Sequence, residues 1–188
     1  MPASGRLVFT VTRNGSKLGR HALAFRRVED GLEVDVEARF VWKLGFVTLF
    51  RYALKGREVW RAGRLESAAF RTDNNSAPAR LRLERIAEGL KVEGSARHPY
   101  VAPPDWLVAT HWNRRQLERP MINPQDGAVL RYVATDLGQA QAPGGAMARH
   151  WRLAGENALE LWYDSAGLWT GLRARAFDGS QIEYRPGT

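Results

Sequence analysis

LEVDVEARF, residues 32–40, sets the architecture. Leu32, Val34, Val36, Ala38 and Phe40 fall on one side of an extended chain, and Glu33, Asp35, Glu37 and Arg39 fall on the other. A period of two is the signature of a half-buried strand. It returns in RLVFTVT, residues 6–12, through Leu7, Phe9 and Val11, and in ARLRLER, residues 79–85, through Leu81 and Leu83. Turn signals separate such runs: Asn14-Gly15, Glu29-Asp30-Gly31, Ala62-Gly63, Asp73-Asn74-Asn75, Glu88-Gly89, Asp126-Gly127, Gly155-Glu156-Asn157 and Asp178-Gly179. That spacing describes an antiparallel meander.

The most apolar stretch, FVWKLGFVTLFRY at 40–52, is divided by Lys43 and Gly45 into two strand-length pieces. The expectation is two strands meeting at a tight bend and buried on both faces, either as plain core or as the wall of a ligand cavity. EVWRAGRLESAAF from Glu58 and ELWYDSAGLWTGL from Glu160 share one layout: an acidic residue, an aliphatic one, tryptophan, a short turn with glycine, then a second strand. A hairpin used twice accounts for both. It places Asp164 at a turn, where Asp favours local bonds to the backbone.

One region departs from the β pattern. Between Pro99, Pro103, Pro104, Pro120 and Pro124, the run DWLVATHWNRRQLER (105–119) could form about three helical turns capped by Asp105. Residues 98–123 therefore read as an irregular insertion with a short helix, a plug or lid for a curved sheet. APGGA at 142–146 is a second, smaller loop. With no linker elsewhere, 1–188 reads as a single β-rich domain.

On both sides of the 160s turn, in 159–163 and 168–177, the two faces of the strands are partly apolar, so the sheet must be covered on two sides or curl around something. A curved half-barrel or barrel with a lined interior meets that demand. Seven tryptophans are available to the core or to a groove. The candidate ligand-lining residues are Trp42, Phe46, Phe50, Trp60, Trp112, Trp162 and Trp169, with Arg114 or Arg173 to meet an anionic head group.

Other chemistries find little support. There is no cysteine, hence no disulfide or thiolate. His21, His98, His111 and His150 have no metal-ligand spacing, and no cofactor is expected. No G-x-S-x-G, G-x-G-x-x-G or Walker loop occurs. A spatially assembled active site would draw on Asp164, His111 and Glu118. In HWNRRQLER (111–119) Arg115 and Glu118 could pair three apart on a helix, leaving His111 and Arg114 for an anion. The net charge is +8, and 24 of the 28 basic residues are arginine. They are spread from Arg6 to Arg185 and interleaved with acids, as in Arg82, Glu84 and Arg85, so no specific nucleic-acid binding is expected. No apolar run approaches the ~18 residues of a membrane span.

Taken in order, RNGSKLG (13–19), LFRY (49–52), EVWRAGRL (58–65), HWN (111–113), LWYDSAGLW (161–169) and FDGSQIEY (177–184) resemble an uncharacterised family of proteobacterial exported β-rich proteins, a domain of unknown function. Its members usually begin with a signal peptide, absent here. The resemblance implies a periplasmic antiparallel domain, or a cytoplasmic one if Met1 is native. A more remote likeness of pattern suggests the half-barrels of LolA- and LolB-like lipoprotein carriers. The expected role is a non-enzymatic carrier or binding module for a lipid or other hydrophobic or amphipathic envelope ligand. The alternative is a structural interaction domain that docks an envelope protein.

Overall fold

The structure, a computed structural model, describes residues 2–44, 46–155 and 158–187. Met1, Gly45, and Glu156 and Asn157 of the turn expected at 155–157 lie outside them. The chain first lays down β1 (Arg6–Arg13), β2 (Ser16–Val28), β3 (Gly31–Leu44), β4 (Val47–Arg61), β5 (Arg64–Asn74), β6 (Ala77–Ile86), β7 (Gly89–Gly94) and β8 (Tyr100–Ala102). An insertion follows, with β9 (Leu107–Val108), β10 (Met121–Ile122) and β11 (Val129–Leu130). The chain then returns through β12 (Val133–Gln141), β13 (Met147–Ala154), β14 (Leu159–Tyr163), β15 (Trp169–Arg175) and β16 (Gln181–Pro186).

Thirteen of these strands form one antiparallel sheet in the order β12-β13-β14-β15-β16-β1-β2-β3-β4-β5-β6-β7-β8. The two ends of the meander meet in its middle, where β1 pairs with β16. Its hairpins close on residues that accept a left-handed backbone: Asn14 and Gly15 at φ 47° and 81°, Ala62 and Gly63 at 46° and 73°. Two successive positive φ values match the right-handed twist of the flanking strands. The alternation read in LEVDVEARF is realised in β3, where Val34, Val36 and Ala38 are buried. On the outer face Arg57 bridges Asp35 at 2.6 Å and Glu33 at 3.2 Å, and Arg82 meets Glu84 at 3.1 Å. Such exposed pairs keep the outer face solvated and contribute little stability.

The sheet curls without closing, since β8 and β12 remain its edges. Its curvature follows from reach. Thr110 donates to Glu58 on β4 at 2.6 Å, and the carbonyl of the very next residue, His111, accepts from Tyr163 on β14 at 2.9 Å. Those strands stand six places apart, about 29 Å across a flat sheet at ~4.8 Å per strand. A hydroxyl and a backbone carbonyl on adjacent residues cannot span that, so the strands wrap around the insertion. A half-barrel, rather than a closed barrel, is the outcome.

The insertion fills the concave side. Its three strands form a small sheet of their own, β9 and β10 parallel, β10 and β11 antiparallel. Leu107, Val108, Met121 and Ile122 are buried and join the main core with Phe9, Leu23, Phe25, Leu65, Phe70 and Leu161. The helix expected between Pro104 and Pro120 is reduced to one 3-10 stretch, Arg114–Glu118, capped by Asn113. Residues 107–108 are instead pulled into β9, and His111 has φ 67°, which no right-handed helix tolerates. Arg115 turns to the Gly63 carbonyl at 3.4 Å rather than to Glu118.

The far end of the β3–β4 hairpin also departs from expectation. β3 ends at Leu44 and β4 starts at Val47, yet Val41, Phe46 and Leu49 are exposed, because β2 pairs with β3 only as far as Phe40 and β5 with β4 only as far as Tyr52. No neighbouring strand is there to cover them. Where both faces were expected to be apolar, in β14, both are buried: Leu161 and Tyr163 face the concave core, and Trp162 packs with Ala142 and Ala148 beside the 142–146 loop.

If the insertion is an integral half of the core, Ile122→Ala will lower the unfolding free energy by roughly 2–5 kcal/mol. Val101→Ala, at an exposed position on edge strand β8, will change it by less than about 0.5 kcal/mol. Chemical denaturation of both variants measures the contrast.

Candidate functional site

Register stacks inward residues into rows across β2, β3 and β4. His21 stands opposite Ala38, which stands opposite Leu54, and one step along Gly19, Phe40 and Tyr52 line up. Small residues in rows of large ones leave space, and a cavity of about 300 Å³ lies there. Its floor comprises His21, Val36, Ala38, Phe40, Tyr52, Leu54 and Tyr184. Its roof is the insertion, through Ala109, Thr110, His111, the Asn123-Pro124-Gln125 turn and Leu130. In the row of Leu23, Val36 and Gly56 no comparable space opens, because the Phe70 ring occupies the position a side chain at Gly56 would take.

The wall is half polar yet, among the described residues, carries no carboxylate, lysine or arginine. His21 is buried, lies edge-on to Trp169 and Tyr184, and has no hydrogen-bond partner on either ring nitrogen. Burial, aided by the neighbouring His111, pushes its pKa down to about 3. Burial alone brings His111 down to about 4. Both rings are therefore neutral at ordinary pH. The Tyr52 and Tyr184 hydroxyls are pushed well above their usual range by burial, with Asp126 adding to the shift at Tyr52 and Tyr52 to that at Tyr184.

His111 is held by a closed network. Gln116 Oε1 accepts its backbone N–H at 3.1 Å, which turns the Gln116 amide nitrogen towards His111 Nδ1 at 3.3 Å and the Tyr163 hydroxyl at 3.0 Å. Since an amide nitrogen only donates, Nδ1 must accept, and the ring proton sits on Nε2. Tyr163 in turn donates to the His111 carbonyl. The network holds a left-handed backbone at a non-glycine residue, a conformation costing about 1–3 kcal/mol.

Beyond the cavity the roof is tied down by one carboxylate. Glu58, buried on β4, accepts from the indole of Trp60 at 2.8 Å, the indole of Trp112 at 3.0 Å and the Thr110 hydroxyl at 2.6 Å. Burial raises its pKa, and the three donors act against the rise. The Trp112 ring sits edge-on to Phe25 and Trp60, sealing that end.

The candidate lining residues separate into four places. Trp60, Trp112 and Trp169 lie in the concave core, where Trp169 abuts both histidines edge-on at 5.5 Å, but none of the three forms the cavity wall. Trp162 is on the outer face, stacked on His150 at 4.2 Å, with Arg173 above it at 5.4 Å and held by Glu183 at 3.0 Å. Trp42, Phe46 and Phe50 belong to the β3–β4 tip, where Arg13 covers the Trp42 ring at 3.7 Å. Arg114 is exposed on the 3-10 stretch. Of Asp164, His111 and Glu118, only His111 reaches the cavity; Asp164 accepts the N–H groups of Ala166 and Leu168 in its turn. Sequence reasoning missed His21, Tyr52, Tyr184 and Glu58. The signal was a polar residue in core phase, as in His21-Leu23-Phe25 and Leu54-Gly56-Glu58-Trp60. Among the described residues no cluster of three or more His, Cys, Asp or Glu is placed to hold a metal.

A curved antiparallel sheet roofed by its own insertion over a neutral, half-polar cavity is the class of protein these features define. The chain belongs to the family described as a domain of unknown function, DUF6134, which matches residues 9–187. No curated protein matches it.

Glu58→Ala will cost at least about 3 kcal/mol of stability by leaving two indole N–H groups and a hydroxyl buried without an acceptor; Glu58→Gln, keeping one oxygen, will cost less, as thermal or chemical unfolding will read. The histidines give a pH dependence. In the unfolded chain an imidazole takes up its proton near about pH 6.5, whereas in the fold His21 does so only near about 3. Between those values the unfolded state binds more protons, so stability is complete above about pH 6.5 and drains away on acidification. From about pH 7 to about pH 5 each ring accounts for about 2 kcal/mol of loss. Glu58, with its raised pKa, opposes part of it. His21→Phe should therefore show a loss about 2 kcal/mol smaller than the parent over that interval.

Proposed function

We propose that the protein is a binding or carrier module for a small, uncharged, amphipathic ligand of the cell envelope, held between the concave sheet and the insertion. The observation that carries this reading is His21: a buried neutral imidazole with two unpartnered nitrogens beside a cavity. An unpaired buried donor or acceptor costs about 1–3 kcal/mol, and a ligand offering one hydrogen-bond donor and one acceptor would satisfy both. Phe40, Leu54, Leu130 and Val36 would hold its apolar part, with the Tyr52 and Tyr184 hydroxyls and His111 within the same wall. The absence of fixed charge from that wall favours an uncharged group, since an ion there would lose its hydration without a counter-charge.

The volume sets a size. At ~30 Å³ per water, about 300 Å³ is the space of on the order of ten waters, the lower end for ligand pockets. A single ring or short chain with one polar group fits; a whole two-chain lipid does not. A periplasmic setting is part of this proposal and rests on the resemblance to exported proteins. Fully exposed Phe46 and Phe177 favour a second reading, an envelope protein-interaction domain.

Native mass spectrometry of the protein isolated gently from its own envelope fraction separates the two. The binding reading expects a stoichiometric small molecule that leaves on denaturation and is missing from Ala38→Phe, whose ring fills the floor. An empty parent chain that stays empty after incubation with envelope lipid extract supports the interaction reading instead.

A further inference from the structure

The end of the β3–β4 hairpin is a free-standing projection. Past Phe40 on β3 and before Arg51 on β4, which is still bonded to Asn75 of the next hairpin, the two strands pair in the sheet with each other alone, so the hairpin extends about four residues, roughly 13 Å, beyond the adjacent strands. Its exposed side chains are apolar: Val41, Phe46 and Leu49. Beside it, on the β15–β16 turn, Phe177 is also fully exposed. Leaving such rings in water is unfavourable in proportion to their apolar area.

Basic residues outnumber acids around them. Residues 38–57 hold Arg39, Lys43, Arg51, Lys55 and Arg57 and no acid, with Lys43 and Arg51 exposed on the projecting strands. The acid nearest Phe177 in sequence, Asp178, is matched by Arg13, whose guanidinium covers Trp42. Beside Phe177 runs an open, mainly apolar groove of about 380 Å³, walled by Leu18, Phe40, Phe50, Ala176, Phe177 and Ile182 together with the paired Arg13 and Asp178. Phe40 is also part of the cavity wall, so the groove and the proposed ligand site share that residue.

We propose that this end of the molecule docks on an anionic lipid bilayer, with Phe46 and Phe177 entering the interface and Lys43 and Arg51 meeting the head groups, so that the ligand passes along the groove past Phe40. Two separated convex knobs need no shape-matched partner and suit a fluid surface. Aromatic rings beside basic residues are the composition of interfacial anchors, and each basic residue near an anionic surface adds to the attraction. The proposal rests on the ligand-binding reading for the purpose of docking, but not for docking itself.

Vesicle co-sedimentation tests it. The parent chain is expected to bind phosphatidylcholine vesicles containing phosphatidylglycerol, to release at high salt, and to bind pure phosphatidylcholine weakly. Phe46→Ser with Phe177→Ser is expected to weaken binding by about tenfold or more with unchanged thermal unfolding, since both rings are exposed; Lys43→Glu should weaken it on anionic vesicles only. Ala38→Phe should dock as the parent does, and a parent chain that docks on vesicles yet carries no small molecule would overturn the ligand reading alone. Failure of the parent to bind anionic vesicles, or undiminished binding by the double variant, would overturn the docking proposal, and concentration-dependent self-association abolished by the double variant would assign the patch to a protein surface.

Discussion

The carboxylate of Glu58 is the constraint on which the rest depends. The sheet has a concave apolar face too broad to remain uncovered, and the insertion has too little structure of its own, three two-residue strands and one 3-10 turn, to fold alone. Glu58 joins them by taking two indole N–H groups and a hydroxyl at once. A carboxylate buried this deeply is tolerated only when its lone pairs are filled, and here the partners come from both halves. Trp60 belongs to the sheet; Thr110 and Trp112 belong to the roof. Sequence, fold and site meet in that bond set, since residues 109–111 of the anchored roof close the cavity.

The cavity that results is polar without being charged. Its imidazoles are neutral because burial penalises the protonated form, and its phenols keep their protons for the same reason. Hydrogen bonding and shape, rather than ion pairing, are therefore what the wall offers. The arginines, numerous as they are, lie mainly outside, many bridged to acids across the outer strands. The projecting tip differs, with basic residues beside aromatic rings rather than acids, and this gives the molecule a polarity from end to end.

Much of the fold was legible because strand period and turn chemistry are local. Val34, Val36 and Ala38 were readable as core from alternation alone, Asn14-Gly15 and Ala62-Gly63 as hairpin turns, and Asp164 as a turn residue. The insertion was legible from its prolines, but its helix was not, because His111 is forced into a left-handed conformation by bonds to Gln116 and Tyr163, the latter some fifty residues away in the chain. The 40–52 run looked buried because hydrophobicity does not reveal where neighbouring strands stop. The site was the least legible. His21, Ala38 and Leu54 share a row only through inter-strand register, and the tryptophans that drew attention support the cavity from behind.

The account stands or falls on whether the curled sheet and its roof shut His21 away from water. Long-range proton–nitrogen NMR of the histidine rings, followed through an acid titration, asks this directly. The account predicts that His21 and His111 keep neutral-imidazole signals from about pH 7 to about pH 5, with His111 protonated on Nε2. A His21 midpoint near about 6.5 would mean that the concave face is open to solvent, and would contradict the roofed cavity on which the functional reading is built.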